Sequence, residues 1–352
     1  MLIPYTQSDI DQALCKRSGE QRLGQQVQLI DTNTELTNAL SNAKTQGARF
    51  AIIGIAEDVG PQANLGRGGA SNAFQAAMQQ WLNLQSNRFL SGKQCLIMGE
   101  IQLTPNVKHS EVNSSEVEAN QVDALRAATA ELDKQVEPII HAIFEAGLEP
   151  IIIGGGHNNA LPILNAAKQH YNQGLAAINL DPHSDFRPKE GRHSGNGFSY
   201  AAASGALNHY HVLGLHELKN SEATLEQLSV FGGSWHTYQQ IWVRREVGFS
   251  DALKQAVSKL NQTSSPVGVE LDVDAINKMP SSASTMAGIP LSDACHYLYY
   301  LALKSPAAYC HIAEAAPSCH DAGEAAGTRD VSQALSELIY SYIQGREQAK
   351  LS

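Results

Sequence analysis

Aromatic residues are scarce in this chain, at 6%. That is too few to favour a platform on which single-stranded bases stack. Positive charge is also short: 25 Lys and Arg stand against 35 Asp and Glu, a net charge of -10. Binding to a phosphate backbone is therefore not the main task, and no nucleic-acid partner is expected. The five cysteines, Cys15, Cys95, Cys295, Cys310 and Cys319, form no C-x-x-C pair. An odd, scattered set argues against a disulfide framework and fits a reducing compartment. No apolar run reaches the ~18 residues of a membrane span. The opening stretch, MLIPYTQSDIDQ, lacks the basic and apolar regions of a signal peptide. The expectation is a cytoplasmic protein with no membrane partner. What is present is an ordinary globular composition, 43% hydrophobic and 17% charged over 352 residues.

Buried-strand patterns recur along the chain. They are RFAIIGIAEDVG from Arg49, KQCLIMGEI from Lys93, EPIIIGGGH ending at His157, and GLAAINLDPHSD ending at Asp185. HYHVLGLHE from His209, SPVGVELDVDAI from Ser265 and AAYCHIAEAAP from Ala307 continue the series. Between them lie helical patterns, including a long one from Glu116 (EVEANQVDALRAATAELDKQVEPIIHAIFEAGL) and a closing one, VSQALSELIYSYIQ. YQQIWVRRE, from Tyr238, is short and ambiguous. Continuous apolar strands alternating with helices predict an α/β protein with a largely parallel sheet. Residues 1–48 are polar and helix-compatible and are expected as an N-terminal helical extension. With no linker or repeat, a single domain over 1–352 is expected. The loop QANLGRGGAS, from Gln62, is glycine-rich but fits neither dinucleotide nor Walker pattern. A tight or pocket-lining turn is the expectation there.

Chemistry concentrates where strands end, the usual place for sites in such sheets. GGGH offers His157; DPHSD offers Asp181, His183 and Asp185; ELDVD offers Asp272 and Asp274. On an extended strand, alternate residues share a face, so each set should converge. A lone D-x-D at a strand end is most often a turn or cap. Together, however, these motifs bring four carboxylates and two imidazoles to adjacent strand ends. Burying four carboxylates without countercharge costs many kcal/mol, whereas two divalent cations balance them. An oxygen-rich set with two imidazoles and no thiolate favours Mn²⁺. Two close metals lower the pKa of a shared water and support hydrolysis.

GGGH, DPHSDFRP, RHSGNGFSYA, ELDVDAI and HIAEAAP resemble the motifs of the arginase (ureohydrolase) family in order and spacing, over roughly residues 50–345. The resemblance implies an arginase-like three-layer α/β/α sandwich around a mostly parallel eight-stranded sheet, and usually a homo-oligomer. It implies two Mn²⁺ per subunit: His157 and Asp185 on one, His183 and Asp274 on the other, with Asp181 and Asp272 bridging. It implies a catalytic role for Glu314 of AEAAP, which contacts an amidine or guanidinium; Asp185, as a ligand beside the bridging water, is placed to accept or relay a proton.

Within the family the chain is most similar to formimidoylglutamases. Arg187-Pro188 follows Asp185 by one residue, three glycines precede His157, and Phe198 occupies the position of a catalytic histidine in arginases. Arg187 suits a substrate carboxylate, which a guanidinium holds in bidentate fashion. Ser194 and Asn196 are the further expected substrate contacts, and His193 is a candidate replacement for the missing proton shuttle. Pro182, Asn158 and Asn196 depart from the subfamily pattern. The expected reaction is hydrolysis of the formimidoyl C–N bond of N-formimidoyl-L-glutamate to L-glutamate and formamide, by a metal-bridging hydroxide. The alternatives are a ureohydrolase acting on a guanidino acid or agmatine, or a catalytically silent metal-binding homologue.

Overall fold

The computed structural model describes residues 1–103 and 119–350. Residues 116–118, where the long helical pattern begins, lie outside that range. Ten strands are formed in chain order: β1 (Leu2–Pro4), β2 (Gln28–Leu29), β3 (Phe50–Ala56), β4 (Cys95–Gln102), β5 (Glu149–Ile153), β6 (Leu175–Leu180), β7 (Leu207–Leu215), β8 (Ser234–Thr237), β9 (Val267–Asp272) and β10 (Ala307–Ala313). They make one sheet in the order β1-β4-β3-β5-β10-β9-β6-β7-β8, with β2 also paired to β4. Every pairing is parallel except β1 with β4.

The expected count of eight strands is therefore corrected to ten among the described residues. Two of the strands, β1 and β2, come from residues 1–48, which also hold helices Gln7–Ala13 and Leu36–Thr45. That segment is not solely helical. Its strands are too short to show an apolar period, and they form because the edge of β4 offers unpaired backbone groups. The ambiguous stretch after Tyr238 is a turn of π-helix, Gln239–Val243, preceded by the unanticipated edge strand β8. Helix Leu291–Lys304 was also not anticipated.

The sheet is buried on both faces, which explains its continuous apolar strands. On one face, Ile52, Ile97, Ile178, Val269 and Ile312 pack under helices Ala73–Trp81, Leu291–Lys304 and Glu324–Gln348. On the other, Ile53, Met98, Ile152, Ala177 and Val212 meet helices Ala119–Glu145 and Ala160–Tyr171. The result is a three-layer α/β/α sandwich. Four adjacent strands, β5, β10, β9 and β6, end together on one edge of this sandwich. They deliver His157, Glu314, Asp272 and Asp181 respectively.

Candidate metal centre

The turn after β5 sets His157 in place. Gly154 and Gly155 have φ of 81° and 69°, a region costly to residues with a Cβ. A Cβ on Gly155 would also lie 2.8 Å from Glu57 Oε1. The buried Glu57 accepts from the backbone N–H of Gly156 at 2.6 Å and from Asn159 Nδ2 at 2.7 Å. A carboxylate inside the fold thus clamps the loop that carries the imidazole.

His157 Nδ1 lies 3.2 Å from Asp185 Oδ2 and 3.4 Å from both Asp181 Oδ2 and Asp272 Oδ2. His183 Nδ1 lies 3.3 Å from Asp181 Oδ1 and 3.9 Å from Asp274 Oδ2. His157, Asp181, Asp185 and Asp272 bring one ligand atom each within 4.8 Å of one another, and His183, Asp272 and Asp274 do the same. The six residues singled out in the sequence therefore converge as two overlapping sets. Asp272 belongs to both, and Asp181 touches both imidazoles.

The route to convergence differs from the extended-strand picture. β6 ends at Leu180, so Asp181, His183 and Asp185 leave a turn rather than one strand face. Asp181 Oδ1 accepts the N–H of His183 at 2.6 Å, and Asp185 has a left-handed φ of 48°. Likewise Asp272 Oδ1 caps the N–H of Asp274 at 2.7 Å. The capping role that such motifs usually serve and the clustering role coexist in the same carboxylates. Glu314 also has a positive φ, 69°, held by its N–H bond to Gly155 O at 3.0 Å. Strain of this kind costs on the order of 1–3 kcal/mol and gathers at functional sites.

The electrostatics call for cations. Burial, then the neighbouring Asp274 and Asp181, pushes Asp272 well above the usual carboxylate range. Burial and Asp181 raise Asp185, burial raises Asp274, and burial with Asp272 and Asp274 raises Glu314 well above its ordinary value. Burial works against protonation of the two imidazoles, yet their carboxylate partners raise His157 well above its ordinary value and His183 to about 9. Buried carboxylates crowd together, answered by the two imidazoles and, at Asp274, by the charge of Lys219. His157 Nδ1 and Asp274 Oδ1 are buried with no hydrogen-bond partner. Oxygen-rich donors, two imidazoles and these orphaned atoms fit a pair of divalent cations.

A layer beneath the site was missed in the sequence. Glu270 lies fully buried in β9, beside His311 of β10 and Asn179 of β6 in the sheet register. Its Oε2 lies 3.3 Å from His157 Nε2 and 2.7 Å from His311 Nδ1, and its Oε1 accepts from Tyr309 OH at 2.6 Å. Burial opposes its ionisation, but the His311 and His157 imidazoles hold it down at about 2. An ionised Glu270 requires His157 to donate from Nε2, which leaves the Nδ1 lone pair facing the cluster. Asn179 Nδ2 similarly donates to Asp181 Oδ2 at 2.9 Å. The sequence signal is a polar, titratable residue inside each apolar strand, VGVELD and AAYCHIA, since a buried polar group needs a partner.

Above the cluster opens a cleft of about 570 Å³, lined by Asp185, Arg187, Ser194, Lys219 and Glu314. The glycine-rich loop contributes Asn64, Leu65 and Gly66, the pocket-lining role expected of it. Glu314 Oε1 accepts the N–H of His157 at 2.9 Å, and the rest of its carboxylate faces the cleft. Arg187 is 47% exposed, donating to Asn64 Oδ1 at 2.7 Å and to Glu190 Oε1 at 2.8 Å.

Two expectations for this region are corrected. Asn196 is buried and does not line the cleft; it donates to Gly191 O at 2.7 Å and accepts from Arg192 Nη1 at 2.9 Å. It shapes the loop that presents Ser194. His193 is buried against Glu190 at 3.3 Å, and burial with the nearby Arg187 and Arg126 lowers it to about 4. It does not line the cleft, so nothing in its placement supports a proton shuttle. Phe198 packs edge-on against His157, ring centroids 5.2 Å apart, and stacks on Tyr210.

Known proteins bear the same stamp. The arginase family model matches residues 48–340. A formimidoylglutamase of Hahella chejuensis is 29% identical over 195 residues, covering 53% of this chain and 52% of that protein. One of Streptococcus pyogenes serotype M3 is 28% identical over 184 residues, covering 50% and 49%. The matched stretch thus spans about half the length of these curated relatives. Among solved structures, a Bacillus subtilis formimidoylglutamase superposes with a TM-score of 0.73 at 16% identity, covering 96% of this chain and 95% of that one. Trypanosoma cruzi formiminoglutamase with Mn²⁺ gives 0.67 at 19% identity, covering 88% and 97%. At such identities the superpositions speak for the fold, and the family match over most of the chain speaks for descent: this chain belongs to the arginase family.

Proposed function

We propose that the chain is a manganese-dependent amidine hydrolase that cleaves N-formimidoyl-L-glutamate to L-glutamate and formamide. The observation that carries this reading is the buried set of four aspartates and two histidines beneath a cleft whose wall presents Glu314. His157 and Asp185 would hold one ion and His183 and Asp274 the other, with Asp181 and Asp272 shared. Bound there, two divalent ions supply Lewis acidity and a water of lowered pKa.

The chain's own residues do the rest. Glu314 sits in a crowd of buried carboxylates that raise its pKa, so a cationic amidine is its natural partner. It turns the formimidoyl carbon toward the cluster. Water adds to that carbon, and Asp185, at the floor of the cleft, takes the released proton. Asp185 then returns the proton to the glutamate nitrogen as the C–N bond breaks. Arg187 stands at the rim to meet a substrate carboxylate. Phe198 fills the space beside His157 with a ring that carries no proton, which supports an amidine over arginine as substrate. The family resemblance supports a homo-oligomer, and the odd, scattered cysteines support a reducing, cytoplasmic setting.

The test is a substrate panel on manganese-loaded protein. Glutamate release from N-formimidoyl-L-glutamate, with no urea from L-arginine or 4-guanidinobutyrate, is the expected result. Urea as the main product would replace the proposed substrate with a guanidino acid.

A further inference from the structure

Two cations line the cleft, Arg187 and Lys219, and they differ in what already faces them. Each terminal nitrogen of Arg187 already donates once, to Asn64 and to Glu190, and keeps a second N–H. The Lys219 ammonium has no ion pair and no side-chain hydrogen bond among the described residues. The neighbouring carboxylate of Glu217 is taken by Arg244, at 2.7 and 3.0 Å, and by Thr237 at 2.8 Å.

Nor is Lys219 on a loose loop. The next residue, Asn220, accepts the N–H of Ser184 at 2.8 Å and donates to Pro182 O at 3.1 Å. His216 N–H also reaches Pro182 O, at 2.9 Å. The turn bearing Lys219 is thereby tied to the segment that bears His183 and Asp185. A cation without a hydrogen-bonded partner, its charge felt by Asp274 on the acidic floor, is held at the rim of the cleft.

We propose that Lys219 is a specificity-determining residue: it holds a second substrate carboxylate, so that the cleft selects dicarboxylates and rejects substrates carrying an ammonium at that place. This rests on the reading of the cleft as an amidine-hydrolysing site. One carboxylate meets Arg187, the other meets Lys219, and the amidine reaches Glu314. A free α-ammonium, as in L-arginine, would face the Lys219 charge and be repelled.

The experiment measures calorimetric binding of glutarate and of butyrate to manganese-loaded wild type, Lys219→Met, Lys219→Glu and Lys219→Arg, alongside turnover of N-formimidoyl-L-glutamate. Wild type is expected to bind glutarate at least about tenfold more tightly than butyrate. Lys219→Met should lose that preference, Lys219→Glu should abolish glutarate binding, and Lys219→Arg should retain the preference. Manganese content should equal wild type throughout, because Lys219 ligates nothing. A preference that survives in Lys219→Met, or is absent from wild type, overturns the assignment. A Lys219-dependent preference in a protein that does not turn over the formimidoyl substrate keeps the carboxylate site and sinks the catalytic reading. Turnover with a preference indifferent to Lys219 does the reverse.

Discussion

Replacing Glu270 by glutamine removes one negative charge from beneath the metal centre while keeping the side chain's shape. Glu270 meets three groups: Tyr309 OH on one oxygen, and His311 and His157 on the other. In the amide, the remaining oxygen serves either the two imidazoles or the tyrosine. In the first case both imidazole bonds persist but lose their charge assistance. In the second, an NH₂ faces two N–H donors and the imidazoles must turn. Either way His157 becomes a weaker base and is held less firmly. Loss of such an outer partner typically weakens metal binding by about 10–100-fold, or roughly 1.4–2.7 kcal/mol. Only the ion beside His157 should respond, because Glu270 does not touch His183. Calorimetric titration of chelated protein with Mn²⁺ reads both sites. Tyr309→Phe is the control, since it removes one bond to Glu270 and leaves the imidazole contacts. Unchanged affinity at both sites in Glu270→Gln, or equal weakening at both, would refute the reasoning.

Asp274→Ala should lose one ion per chain, counted by elemental analysis, together with nearly all turnover. Arg187→Ala should raise KM for N-formimidoyl-L-glutamate by about tenfold with kcat little changed, because it removes binding remote from the reacting carbon; an unchanged KM would undo its assignment. His211, buried between Ser234 and His236, is depressed by burial and by His236 and Lys259 from 6.5 to about 3. The unfolded chain therefore takes up a proton below 6.5 that the folded chain refuses until about 3. Its contribution to stability is complete above 6.5 and falls with pH by about 1.4 kcal/mol per unit. Between pH 7 and pH 5, denaturant melts should show wild type losing roughly 2 kcal/mol more than His211→Gln; His193, depressed in the same way, contributes to both proteins and cancels in the difference.

The central sheet was legible because β3 to β6, β9 and β10 are buried on both faces and so are written as nearly continuous apolar runs. Strands β1, β2 and β8 were not legible, because two to four residues at an edge carry no period. The six clustered residues stood out because carboxylates and imidazoles at strand ends demand countercharge. Their geometry did not follow from alternation: turns and a left-handed Asp185 produce it. Asn196 illustrates the limit of motif reading, since its neighbour Ser194 lines the cleft while Asn196 points into the loop. Glu270 and His311 are far apart in the chain and meet through the register of β9 and β10, which only folding reveals. Lys219 stands on a turn whose position depends on Asn220, three-dimensional information absent from any short motif.

The buried cluster is the proposed two-ion catalytic centre. The most direct measurement titrates Mn²⁺ back into fully chelated protein while following both bound metal and glutamate release from N-formimidoyl-L-glutamate. Saturation at two ions per chain, with activity appearing as the second ion binds, is the predicted result. Saturation at one ion or fewer, or full glutamate release from the chelated protein, would contradict it.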